Sequence, residues 1–86
     1  MTTDQPTVID GLDVNEVKDG LIVYDPARDR VHYLNATAGV VFTMCDGEHS
    51  GSQIAEVVSA AFELDGPPLA DVDRCLAAFA NEGLLR

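Results

Sequence analysis

Basic side chains are scarce in this chain: five Lys and Arg stand against fifteen Asp and Glu, a formal net charge of −10. Lys18, Arg28, Arg30, Arg74 and Arg86 are spread along the sequence rather than clustered. Affinity for phosphate backbones comes from grouped Lys and Arg, so no nucleic-acid partner is expected. Anionic membrane surfaces are disfavoured on the same ground. No apolar run approaches the ~20 residues of a membrane span. The opening "MTTDQPTVID" has neither a positive start nor an apolar core segment, so it does not read as a signal peptide. Cysteine is also sparse. Cys45 and Cys75 suit the cytoplasm, where thiols stay reduced and cysteine behaves as a small apolar residue.

The signatures of catalysis are missing as well. There is no G-x-S-x-G elbow, no phosphate-cradling glycine loop and no metal-carboxylate signature. Metal sites need convergent ligands at short spacings, whereas Cys45, Cys75, His32 and His49 stand singly. Both cysteines fall on apolar faces, which makes them buried thiols rather than ligands or nucleophiles. Asp71 and Asp73 open the last helix, where carboxylates complement the helix dipole. No enzyme, cofactor or metal is expected.

What remains is a chain of 86 residues, 47% of them apolar, enough for one domain with a core that stands without staples. Residues 1–10 are polar, without period, and read as a flexible arm ahead of a single domain over 11–86. "LDVNEV" alternates at Leu12 and Val14 and reads as a strand. Asp19-Gly20 then offers a hairpin turn, since both residues tolerate positive φ. "LIVYD" forms the second strand, "DPARDR" the next turn, and "RVHYL" the third strand. At Asn35 the period changes. Asn is a preferred N-cap, and Ala38, Val41, Phe42 and Cys45 follow at helical spacing until Asp46-Gly47. Ser50 and Gln53 have the spacing of a capping box, and Ile54, Val57, Val58, Ala61 and Phe62 continue as a second stripe. Gly66, Pro67 and Pro68 end that helix. Val72, Cys75, Leu76 and Phe79 form a third stripe, Gly83 closes it, and Leu84 and Leu85 return to the core. The fold expected is α+β in the order β-β-β-α-α-α.

"YLNATA" leading into a helix, then "CDG", then S-x-x-Q-I-A-x-x-V, and finally D-V-x-x-x-L-x-x-F-x-x-x-G-L-L closely resembles the PqqD-like family. These are the recognition elements of pathways that make ribosomal, post-translationally modified peptides (RiPPs). The likeness runs over roughly residues 12–86. It implies a winged helix-turn-helix-like fold and a non-catalytic role: binding the leader segment of a precursor peptide and presenting that precursor to a modifying enzyme. That partner would be a radical SAM enzyme or, in lasso-peptide pathways, a leader peptidase with a cyclase. The leader would add a strand to the edge of the third strand and pack on the third helix.

An extended peptide can pair with any open sheet edge, and "RVHYL" carries no proline and no lysine run to guard it. The resemblance therefore points to Arg30, Val31, His32, Tyr33 and Leu34 on the strand side of a peptide groove. On the helix side it points to Asp71, Arg74, Cys75 and Ala78, where small side chains leave room. Alternate strand residues must face inward, so His32 and Tyr33 line opposite faces. Cys75 is either groove or core, and Asp71 either a dipole partner or an anchor for the leader. A homodimer joined at the same edge is as compatible with the residues as a monomer. Two other readings fare worse. A DNA-reading helix would not set Arg74 and Asn81 among Asp71, Asp73 and Glu82. An acyl carrier protein would need an Asp-Ser-Leu motif, which is absent. A generic protein-interaction module differs only in its ligand.

Overall fold

The computed structural model describes residues 5–86. Three strands, β1 (Asp13–Val17), β2 (Gly20–Asp25) and β3 (Arg30–Asn35), precede three helices, α1 (Ala36–Thr43), α2 (Gly51–Phe62) and α3 (Leu69–Asn81). The sheet is an antiparallel meander in the order β1-β2-β3, so β3 is an edge strand. This is the expected α+β order.

The first hairpin turns one residue earlier than the sequence suggests. Val17 pairs with Gly20, leaving Lys18 and Asp19 as the two-residue loop, and Asp19 alone takes positive φ. Gly20 is needed for a different reason: a Cβ there would collide with the Leu34 carbonyl on β3. Close approach of two backbones, not turn geometry, selects the glycine.

Alternation in β2 and β3 divides the sheet into two faces. Val23 and Leu34 are buried, while Val31 is 66% and Tyr33 63% exposed. The inward face meets the helices, where Val41, Phe42, Cys45, Ile54, Val58, Val72, Phe79 and Leu84 complete the core. Phe42 and Phe79 meet edge to face with ring centroids 5.7 Å apart, joining α1 to α3.

Caps set the helix starts. The Asn35 side chain accepts from the Ala38 amide at 2.9 Å, which lets α1 begin directly where β3 ends. Ser50 and Gln53 make both bonds of the capping box. α1 stops at Thr43, so Gly47 is not its terminating residue. Its positive φ instead shapes the following loop, where its amide donates to the Pro6 carbonyl. In the same loop Asp46 accepts from the Glu48 amide and holds the His49 ring, both at 2.9 Å, which keeps its carboxyl below the usual range.

The segment before β1 departs from the expected arm. Residues 1–4 lie outside the described residues, but Thr7 bridges to Asp46 and Val8 to Leu85. The Ile9 amide donates to Leu84 and the Arg86 amide to Thr7. Val8 adds apolar cover to the core, and these backbone bonds dock the segment against the loop after α1 and the end of the chain. Composition does not show this because the partners lie far away in sequence.

Candidate peptide-binding groove

β3 pairs with β2 on one side only, and among the described residues no backbone group bonds to its other side. The docked N-terminal segment lies elsewhere, against Cys45–Gly47 and Leu84–Arg86. An edge strand presents a row of unpaired N–H and C=O groups at the spacing another strand requires. No Cα of β3 comes within 8 Å of a Cα of α3. The two backbones therefore stand apart, and α1 packs against both.

At the Asn35 end of β3 lies a cleft of about 380 Å³ between α1 and α3, lined by Asn35, Thr37, Ala38, Asp71, Arg74, Cys75 and Ala78, and none of the strand-side candidates Arg30, Val31, His32, Tyr33 and Leu34 lines it. All four residues expected on the helix side are therefore brought together. They recur at helical spacing, which places them on one face of α3. Asn35, Thr37 and Ala38 line the cleft without being among the residues the sequence marks for it. The signal was present in "NATA", whose small side chains start α1 without filling the corner, but it reads first as a cap. At the other end Arg30 Nη1 lies 2.9 Å from Glu82 Oε1. Arg28 is anchored beside it, bonding Asp25 at 3.0 Å and the Gly83 carbonyl at 3.2 Å. Asp25 is 2% exposed, so this carboxylate is buried with its cation attached.

The strand-side residues divide. Val31 and Tyr33 lie on the outward face of the sheet, opposite Tyr24 and Ile22. His32 lies on the inward face opposite Val23 and is half-buried. Leu34 is a core residue; its backbone belongs to the edge, but its side chain supports the groove from behind. Asp71 and Arg74 pair with each other across one turn of α3, so each presents a largely neutralised group to the cleft. Cys75 is half-buried between core and cleft, and burial, reinforced by the Asp71 charge, raises its thiol pKa despite Arg74. Cys45 lies wholly inside, bonded to the Val41 carbonyl, and burial pushes its thiol up to about 11. Both shifts favour the protonated thiol over the nucleophilic thiolate.

A larger cleft of about 820 Å³ lies on the opposite side of α3, between Leu69, Asp73, Leu76, Ala77 and Ala80 and the start of α2. Among the described residues no open strand borders it. The segment that reaches it at Pro6 is already bridged, Thr7 to Asp46 and Val8 to Leu85. Volume alone would favour this cleft; the unpaired edge favours the smaller one. Among the described residues no group of His, Cys, Asp and Glu converges as a metal site, and no helix is long and apolar enough to cross a membrane.

The fold has a solved counterpart. The structure titled TbiB1 in complex with the TbiA(beta) leader peptide is similar at a TM-score of 0.78 and 18% identity. The similarity covers 93% of this chain and 94% of that one, and at such identity it bears on the fold. No curated protein matches the chain. The family model described as coenzyme PQQ synthesis protein D (PqqD) matches residues 20–85, from the first residue of β2 to the end of the core. The chain belongs to the PqqD family.

Proposed function

We propose that this protein is a non-catalytic recognition element, working in the cytoplasm, that binds the leader segment of a ribosomally made precursor peptide. The leader adds a strand to the free edge of β3 and lays side chains against Asp71, Arg74, Cys75 and Ala78. The precursor is thereby presented to a modifying enzyme, either a radical SAM enzyme or a leader peptidase with a cyclase. One observation carries the reading: the open edge of β3 runs, at Asn35, into a cleft whose far wall is a helix face of small and mutually paired side chains. Family membership and the likeness to a leader-peptide complex support it.

Strand addition supplies backbone hydrogen bonds whatever the peptide sequence, and specificity then comes from flanking pockets. Ordering a flexible leader costs a few kcal/mol, so two or three buried anchors must supply the difference. The test is a displayed library of random linear peptides selected on the immobilised chain and on Val31→Pro. Proline removes an edge donor and disfavours further pairing. Peptides enriched on the original chain should be lost on Val31→Pro while the helical circular dichroism is kept. Equal retention on both would overturn strand addition.

A further inference from the structure

His32 is an odd choice for its position. It lies on the inward face of β3, opposite Val23, in line with Leu34, where a β-branched apolar residue would pack without polar cost. Its Nε2 is enclosed and has no hydrogen-bond partner, the one such side-chain atom among the described residues. Buried polar atoms are nearly always satisfied, and each exception calls for an explanation. The residue as a whole remains half-exposed, on the strand whose other side is open. Its ring turns about a soft terminal torsion, so a partner arriving along the edge can take the bond left unmade.

We infer that His32 selects the peptide: the residue that comes to lie opposite it carries a hydroxyl or carboxamide side chain, Ser, Thr, Asn or Gln. This rests on the strand-addition reading and gives it a sequence rule. In an added strand, alternate residues share the inward face, and directly opposed side chains meet. One inward residue then faces Arg30, the next His32, the next Leu34. Arg30 is already paired with Glu82, and Leu34 asks for an apolar neighbour. The peptide should therefore read apolar and neutral-polar two positions apart. A hydroxyl or carboxamide can donate or accept and so fits either imidazole tautomer. A carboxylate fits poorly, because it would be desolvated beside Val23 and Leu34 in a chain of net charge −10.

The same displayed library decides it. Peptides enriched on the original chain should align with Ser, Thr, Asn or Gln two positions from an apolar residue. In a selected peptide, changing that residue to an apolar isostere (Thr to Val) should weaken binding about five- to tenfold, the value of one satisfied hydrogen bond. On His32→Val the same change should cost nothing, and selections on that variant should turn apolar at this position. The thermal midpoint of His32→Val should not fall, since the orphaned nitrogen is gone. If the isostere binds the original chain equally well, or loses as much on His32→Val, the inference is wrong. That measurement on the original chain does not depend on the variant folding. Enriched peptides without the polar position sink this inference alone, whereas no edge-dependent enrichment sinks it together with the proposed function.

Discussion

Arg30 and Glu82 close one end of the groove: the guanidinium at the start of the edge strand sits 2.9 Å from the carboxylate that follows the facing helix. Both side chains are well exposed, which limits what the pair adds to stability. Glu82→Gln should therefore change unfolding free energy by less than about 1 kcal/mol. Its effect should appear in recognition. Arg30 released from Glu82 becomes an unpaired cation on the inward face, so selected peptides should gain Asp or Glu at the position opposite it. Peptide selection and a thermal melt on the same variant check both halves.

Ala78 lines the cleft yet is exposed in the free chain, so it can be enlarged without disturbing the core. Ala78→Trp should fill much of the space between α3 and the start of α1. The expected outcome is a loss of at least about tenfold in peptide affinity, as for a blocked anchor pocket. The midpoint of unfolding should stay close to the original. Fluorescence polarisation with a selected peptide reads the first, and circular dichroism the second. Undiminished affinity would place the anchors outside this cleft.

Cys45 supplies a pH dependence with a definite sign. Its thiol is raised from an ordinary value of 9.0 to about 11 in the folded chain. Below pH 9 both folded and unfolded forms hold the proton, and the contribution to stability is complete. Between about 9 and 11 only the unfolded form ionises, so stability falls as pH rises, by roughly 2–3 kcal/mol in all. In urea titrations across this range Cys45→Ala should start less stable, because it leaves a cavity, but should show a flatter alkaline limb. Parallel limbs would assign the loss to other groups.

The sequence carried the local structure well. Asn35, Ser50 and Gln53 announce two helix starts because a cap is a bond between near neighbours. Period-two alternation in "RVHYL" places His32 and Tyr33 on opposite faces, while Asp71, Arg74, Cys75 and Ala78 follow from the family resemblance and meet on one face of α3. What it concealed depends on distant partners. Gly20 reads as a turn residue, whereas the Leu34 carbonyl packed against it is what excludes a side chain. Residues 6–9 read as a loose arm because their bonds go to Cys45 and Gly47 and to Leu84 and Arg86, far away in sequence. The orphaned nitrogen of His32 is a matter of enclosure in three dimensions, to which no spacing rule applies.

That docked segment has a practical corollary. Thr7 and Arg86 are joined by a backbone bond of 2.8 Å, so these two positions, far apart in sequence, are adjacent in the fold. A short loop joining them, with the chain reopened at the Lys18-Asp19 hairpin, should yield a circular permutant that keeps the edge of β3 uninterrupted. An enzyme spliced in at that new opening would sit beside the meander, on the strand end of the fold, within reach of anything the edge holds.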